Sequence, residues 1–182
     1  MEDERLLGSN LKIAGIVLAG GGSMRMGQDK AQLAIEQQSL LARAVELLVA
    51  VGVEEVFVSG DYSSYSCILD IYPQLGPLSG MHACVNALYD DYDALFILPV
   101  DMPLLTLSEC HWLLQQYAVF PQGVFYQDAT FPMILPLNLD LKVYLAAALT
   151  AKEKKKRSIY GLLKTAKAQA LRYSQELAYR FQ

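Results

Sequence analysis

The sequence predicts a single α/β domain with three layers, a mostly parallel, mixed sheet lying between helices on both faces. Short apolar runs alternate with helical patterns of roughly 10–14 residues, which is typical of βαβ units. The first of these runs lacks polar alternation, as expected of a strand covered on both faces. The length of 182 residues fits one domain, spanning 1–182, better than two.

Composition and charge restrict the class of protein. Hydrophobic residues make up 53% and charged residues 19% of the chain, which excludes an intrinsically disordered protein and a coiled coil. With 15 basic and 19 acidic side chains the net charge is −4, so we expect no nucleic-acid partner. No window approaches the ~18 uninterrupted apolar residues of a membrane span. We therefore expect no membrane contact. Three scattered cysteines match no zinc spacing and indicate reduced thiols, so we expect a cytoplasmic protein.

The first elements are a strand and a helix. Residues 1–10 form a polar leader, for which we expect disorder, and the apolar run 13–19 predicts a buried strand that ends at the glycines 20–22. Ser39 is a candidate helix N-cap because apolar residues follow it at helical spacing. Gly52 ends this helix.

The middle of the chain continues the alternation of strands and helices. Strands are predicted at 55–59, at 67–69 and, most strongly, at 94–100, with a helix over 78–89 between the last two. Thr106 and Glu109 have the spacing of a capping box, which predicts a helix through about Tyr117. The remaining predicted elements are a hairpin of strands 124–126 and 131–135, and helices near 138–150 and over 158–167.

The glycine-rich segment 18–30, LAGGGSMRMGQDK, is the first candidate for chemistry. Consecutive glycines let backbone N–H groups approach a phosphate, and Arg25 and Lys30 add positive charge. A Walker A loop would need Lys-Ser or Lys-Thr after Gly27, where this chain has Gln28. The glycine register also does not fit a dinucleotide fingerprint, so the segment indicates a different phosphate-binding loop.

Two further candidates follow later strands. Asp70 precedes the turn 76–80, Gly-Pro-Leu-Ser-Gly, and a carboxylate can accept two parallel N–H bonds from a guanine edge. Asp101 lies between two prolines at the carboxyl end of the strongest predicted strand, which suits a Mg²⁺ ligand. Ligands of such sheets bind beyond the carboxyl ends of the strands, where Ser59 is also expected.

These segments together resemble the molybdenum cofactor guanylyltransferases, the MobA family, which are nucleotidyltransferases of the glycosyltransferase-A type. The resemblance implies a nucleotide-diphospho-sugar transferase-like fold, Mg²⁺ as cofactor, and transfer of GMP from GTP to molybdenum-molybdopterin with release of pyrophosphate. It also implies contact with other proteins of molybdenum cofactor biosynthesis. By position, the implied nucleotide-binding residues are Leu18, Ala19, Gly20, Gly21, Gly22, Lys30, Ser59, Asp70, Pro77, Leu78, Gly80 and Asp101. The implied catalytic residues are Arg25, Lys30 and Asp101, with Asp101 as the metal ligand and Arg157 at the pterin phosphate.

The sequence departs from this family pattern at three places. Ser59 stands where family members often carry Asn, and Ser79 replaces the Ala of Gly-Pro-Leu-Ala-Gly. The chain ends at Gln182, before the Asn-x-Asn-Thr-Pro segment that usually follows, so a C-terminus truncated relative to the family, with reduced activity, is expected.

Three other functions remain as alternatives. A cytidylyltransferase acting on the same cofactor or a sugar-1-phosphate nucleotidyltransferase would share the glycine-rich loop. Ala19-Gly20-Gly21 and the Gly-Pro-Leu-x-Gly turn favour GTP over CTP. A catalytically weak protein that binds the nucleotide or the cofactor is the third alternative.

Overall fold

A seven-stranded mixed sheet forms the middle layer, in a computed structural model that describes residues 11–20, 31, 34–35, 38–72, 75–127, 129–151 and 158–172. The strands, in chain order, are β1 (Ile13–Leu18), β2 (Ala34–Ile35), β3 (Gln38–Ser39), β4 (Glu55–Ser59), β5 (Cys67–Ile68), β6 (Ala94–Pro99), β7 (Val124–Tyr126), β8 (Met133–Pro136) and β9 (Gln169–Leu171). The order across the sheet is β5-β4-β1-β6-β8-β7-β9. Only β8 runs antiparallel to its neighbours in this sheet, while β2 and β3 form a separate antiparallel pair.

Helices cover both faces of the sheet, which confirms the predicted three layers. The helices are α1 (Leu40–Val51), α2 (Pro77–Leu88), α3 (Leu107–Val119), α4 (Leu139–Thr150) and α5 (Ile159–Thr165). The buried residues of α1 and α3 share one hydrophobic cluster, and those of α2, α4 and α5 share the other. No helix in the described part of the chain is long and apolar enough to cross a membrane.

The position of β1 in the sheet explains why its sequence does not alternate between apolar and polar residues. Ile13 and Val17 belong to the cluster beneath α1 and α3, whereas Ala14, Ile16 and Leu18 belong to the cluster beneath α2. Alternate side chains of a strand point to opposite faces, and here both faces are covered. An uninterrupted apolar run is therefore what this position in the sheet requires.

The predicted ends of α1 and the predicted start of α3 agree with the structure. Ser39 Oγ accepts a hydrogen bond of 3.1 Å from the Ala42 N–H at the start of α1. Gly52 ends that helix in the left-handed conformation, with φ of 89°, which glycine adopts without steric cost. At the start of α3 the Glu109 carboxylate accepts a hydrogen bond of 2.7 Å from the Thr106 N–H.

Three short pieces of sheet and several boundaries differ from the predictions, among them the start of β8 at Met133 rather than 131 and the end of α5 at Thr165 rather than 167. β2, β3 and β9 were not predicted, although the equally short β5 and β7 were, because pairing with a neighbour rather than a local sequence pattern determines strands of this length. Helix α3 continues to Val119, two residues beyond the expected end. The hairpin prediction is confirmed, since β7 and β8 pair antiparallel with Val124 opposite Ile134. The predicted leader, 1–10, lies outside the described residues.

Candidate functional site

The carboxyl ends of three neighbouring strands lie level with one another. In the register of the sheet Leu18 is paired with Ser59 of β4 on one side and with Pro99 of β6 on the other. Hydrogen bonds continue this alignment past the strands, from Ala19 N–H to the Ser59 carbonyl at 3.1 Å and from Val100 N–H to the Leu18 carbonyl at 3.1 Å. The segments that follow these strands therefore start from a common edge, as predicted.

Asp70 lies beside this edge, after the outermost strand β5. Its Oδ1 accepts a hydrogen bond of 3.2 Å from Ser59 Oγ. Burial raises the pKa of the Asp70 carboxyl above its ordinary value, while hydrogen bonds with the hydroxyls of Ser59 and Ser79 act in the opposite direction. The site therefore contains a half-buried carboxylate whose Oδ1 is held by the Ser59 hydroxyl.

Two glycines leave the space around Asp70 and Ser59 open. A Cβ on Gly20 would lie 3.2 Å from the Ser59 carbonyl oxygen and 3.8 Å from Asp70 Oδ1. A Cβ on Gly80 would lie 3.3 Å from both Asp70 Oδ1 and Leu18 Cδ2, and would overlap Ser59 Oγ. The structure thus brings Gly20, Ser59, Asp70 and Gly80 together from four segments.

The first turn of α2 supplies one wall of the site. Gly76 precedes the helix and Pro77, which is exposed, is its first residue. Leu78 is only 2% exposed and packs in the core, so its main chain rather than its side chain is accessible at the site. The side chains of Leu18 and Ala19 are likewise buried.

Asp101 lies on the opposite side of β1 from Asp70. It is exposed and follows β6, whereas Asp70 follows β5, so that β4 and β1 lie between the two strands. Three strand spacings of about 4.8 Å separate β5 from β6. No group of three or more His, Cys, Asp or Glu side chains suited to a metal occurs among the described residues.

Five of the predicted site residues cannot be placed in this arrangement. They lie outside the described residues and are Gly21, Gly22, Arg25, Lys30 and Arg157. The described part of the site therefore consists of the strand ends, Asp70, the first turn of α2 and Asp101.

Two contacts at the site were not predicted. The Tyr62 hydroxyl donates a hydrogen bond of 3.2 Å to the Ala19 carbonyl, directly before the glycine-rich segment. Ser79 Oγ donates one of 2.6 Å to the Tyr72 carbonyl. A polar residue in the otherwise apolar segment 77–81 was the available signal for Ser79, whereas the sequence around Tyr62 carries none.

Comparison of the sequence with known proteins identifies relatives. Residues 15–170 match the family model described as a MobA-like NTP transferase domain. A molybdenum cofactor guanylyltransferase of Xanthomonas euvesicatoria is 41% identical over 128 residues, which cover 70% of this chain and 66% of that protein. A probable molybdenum cofactor guanylyltransferase of Clostridium perfringens is 32% identical over 110 residues, covering 57% and 54%. The matched part thus spans between half and two thirds of these relatives.

Solved structures share the fold. A nucleotidyl transferase from Methanothermobacter superposes with a TM-score of 0.69 at 13% identity, covering 95% of this chain and 91% of that one. Molybdopterin-guanine dinucleotide biosynthesis protein A from Archaeoglobus fulgidus superposes with a TM-score of 0.66 at 16% identity, covering 92% and 86%. At these identities the likeness extends to the fold alone. With most of its length matched by the family model, and the strand ends arranged as described, this chain belongs to the family of MobA-like NTP transferase domains.

Proposed function

We propose that this chain transfers GMP from GTP to molybdenum-molybdopterin, forming the guanine dinucleotide cofactor and pyrophosphate. The relatives named as molybdenum cofactor guanylyltransferases support this activity. The observation that carries it is the arrangement of two carboxylates on opposite sides of β1. Asp70 lies in a half-buried site lined by glycines, which suits a base. Asp101 is exposed beyond β6, which suits a metal ion bound to the phosphates.

Asp70 is the proposed partner of the base. The N1–H and the 2-amino group of guanine are parallel donors, and a carboxylate has two oxygens that can accept both. Neither cytosine nor adenine offers this pair of donors. Gly20 and Gly80 leave the carboxylate accessible, because a Cβ at either position would narrow the space beside Oδ1.

The triphosphate is proposed to lie over the loop that follows β1. Gly20 starts that loop, and its later residues Arg25 and Lys30 would supply the positive charge. Mg²⁺ is proposed to bind at Asp101. One exposed carboxylate fits this ion, since Mg²⁺ commonly takes one or two carboxylates and completes its shell with phosphate oxygens and water. When bound, the ion would neutralise charge on the triphosphate.

The reaction needs no nucleophile from the protein. A terminal phosphate oxygen of molybdopterin attacks the α-phosphorus of GTP in line and forms a new P–O bond. The bond from that phosphorus to the oxygen bridging to the β-phosphate breaks, and pyrophosphate leaves with the electron pair. The residues of this chain act by binding and orienting both substrates and by stabilising negative charge.

The second substrate and the cellular setting complete the proposal. Arg157 is proposed at the pterin phosphate because a guanidinium binds phosphate through two parallel hydrogen bonds. Contact with other proteins of molybdenum cofactor biosynthesis would deliver molybdopterin and receive the product. A cytoplasmic location is supported by the three cysteines, Cys67, Cys84 and Cys110, all of which are free thiols.

Calorimetric titration of the purified chain with GTP, CTP and ATP, each with Mg²⁺, is the first test. We expect selective binding of GTP that weakens at least tenfold in Asp70→Ala, since a hydrogen-bonded charged group contributes about 1.5–3 kcal/mol. Pyrophosphate release in the presence of molybdopterin then tests the transfer itself. Preference for CTP would assign the chain to the cytidylyltransferases, and GTP binding without turnover would favour a binding protein.

A further inference from the structure

Ser79 is a fully buried polar residue in the first turn of α2. Its side chain is 0% exposed, and its Oγ donates a hydrogen bond of 2.6 Å to the Tyr72 carbonyl. That carbonyl belongs to the segment between β5 and α2, which also carries Asp70. The hydroxyl therefore ties the main chain just after Asp70 to the start of the helix.

The carboxylate itself is held by the neighbouring strand. Ser59 Oγ donates to Asp70 Oδ1 at 3.2 Å, and the nearby hydroxyls of Ser59 and Ser79 lower the pKa of Asp70 against the rise caused by burial. The one hydroxyl proton of Ser79 is donated to the Tyr72 carbonyl, so Ser79 acts on Asp70 by holding the segment that carries it.

A ring contact one turn further along α2 holds the same segment. The rings of Tyr72 and His82 lie with their centroids 5.7 Å apart and their planes inclined by 48°. His82 is itself 8% exposed and its ring nitrogen lies 3.0 Å from Asn86 Nδ2. The main chain at Tyr72 is thus attached to the helix by Ser79 and its side chain by His82, so the position of Asp70 depends on α2.

Two serine hydroxyls hold the surroundings of Asp70. Ser59 Oγ donates to Asp70 Oδ1, and Ser79 Oγ donates to the Tyr72 carbonyl two residues further along the chain. An alanine at position 79 would fill nearly the same space but would not hold that carbonyl.

We propose that Ser79 is a positioning residue for base selection: by holding the Tyr72 carbonyl it fixes the segment that carries Asp70, while Ser59 holds Asp70 Oδ1, and the carboxylate is thereby oriented toward the two parallel donors of a guanine. This inference rests on the proposed function, since it assigns the base to Asp70. Ser79 itself does not touch the nucleotide. Its effect is on the orientation of the carboxylate, so removing it should reduce discrimination between bases more than it reduces overall binding.

The test compares binding of GTP and ITP, which carry the same triphosphate but differ in the 2-amino group. Their ratio of dissociation constants cancels contributions from the phosphates and isolates the second hydrogen bond at Asp70. We expect the intact chain to prefer GTP by about tenfold, the size of one hydrogen bond to a charged group. Ser79→Ala should lower this ratio several-fold, and Ser59→Ala combined with Ser79→Ala should bring it near one, as in Asp70→Asn.

Asn138→Ala is the matched structural control. Asn138 caps α4 at the opposite edge of the sheet, with Oδ1 accepting a hydrogen bond of 2.9 Å from the Leu141 N–H. Its loss should lower stability without changing the GTP to ITP ratio. If the alanine variant at position 79 folds poorly, Ser79→Cys keeps the volume with a weaker donor and should also lower the ratio.

The outcomes separate the two proposals. An unchanged ratio in both Ser79 variants, together with a lost preference in Asp70→Asn, would overturn the role of Ser79 and leave the base at Asp70. An unchanged ratio in Asp70→Asn, or no binding of GTP by the intact chain, would overturn the proposed base site and the role of Ser79 with it.

Discussion

Ser59 Oγ donates a hydrogen bond of 3.2 Å to Asp70 Oδ1, and this bond joins the carboxyl ends of β4 and β5. The two residues are eleven positions apart in the chain and come together because their strands are parallel neighbours. The carboxylate that results is half-buried and lacks part of the solvation it would have in an unfolded chain. The ionised carboxylate therefore lowers the stability of the ligand-free protein, and this effect can be measured.

Asp70→Asn should stabilise the free chain at neutral pH. Burial raises the pKa of this carboxyl in the folded state, so the folded protein holds the proton more tightly than the unfolded chain. The contribution of Asp70 to stability is therefore fully present below its unfolded pKa and is lost as the pH rises through the folded value. The neutral amide of Asn at position 70 does not ionise, so the variant does not lose this stability as the pH rises.

Urea unfolding at pH 7 and at about pH 3 measures this effect, the lower value being below the ordinary pKa of an aspartate. The variant should exceed the wild type in free energy of unfolding at pH 7, and the excess should shrink at the lower pH. Asp61→Asn, at an exposed position in the preceding loop, is the control. An equal excess at both pH values would contradict the prediction.

Gly80→Ala should damage both stability and nucleotide binding. The added Cβ would overlap Ser59 Oγ and lie 3.3 Å from Asp70 Oδ1, so both side chains would have to shift. Overpacking of this kind costs about 1–3 kcal/mol. Thermal unfolding measures the stability, and titration with GTP should show binding weakened by at least about tenfold, the effect of one misplaced charged hydrogen bond.

Gly123→Ala is the matched control for that variant. Its Cβ would lie 2.8 Å from Leu135 Cδ2, and φ of 123° makes any side chain there strained. Gly123 precedes β7 at the edge of the sheet opposite the site. We expect a comparable loss of stability with unchanged GTP affinity. Equal loss of affinity in both glycine variants would mean that binding follows stability alone.

The three cysteines should react with iodoacetamide at very different rates. Cys84 and Cys110 are buried, and burial raises the pKa of each thiol to about 12, which leaves almost no thiolate at pH 8. Cys67 is half-exposed, with Sγ accepting a hydrogen bond of 3.3 Å from the Tyr62 N–H. Mass spectrometry of the native chain should find modification at Cys67 first. Rapid labelling of either buried cysteine without denaturant would contradict this.

Asp101→Asn should lower Mg²⁺-dependent turnover on the order of 10²-fold, the usual effect of losing one preorganised electrostatic group. The amide keeps the shape of the side chain but removes the negative charge that the ion would need. Initial rates across a range of Mg²⁺ concentrations provide the measurement. Asp140→Asn, in the first turn of α4, tests for a general effect of losing a carboxylate and should retain full turnover. Full turnover in the Asp101 variant would remove the metal assignment.

Much of the architecture could be predicted because it depends on residues close together in the chain. The apolar run of β1 requires cover on both faces, and the caps at Ser39 and Thr106 act within one helical turn. The short strands β2, β3 and β9 could not be predicted in this way. β9 is stabilised by its pairing with β7, with Ala170 opposite Phe125, and its own sequence carries no period.

The sequence by itself determined the fold class, the strand ends that border the site and the candidate carboxylates Asp70 and Asp101. Only the tertiary structure decided that Ser79 donates to the Tyr72 carbonyl close to Asp70, and that Gly80 leaves no room for a side chain beside Ser59. Periodicity and capping report on neighbours along the chain, whereas these contacts depend on how closely α2 approaches the ends of β1 and β4. That distance is set by packing of buried side chains against the sheet, which no local pattern encodes.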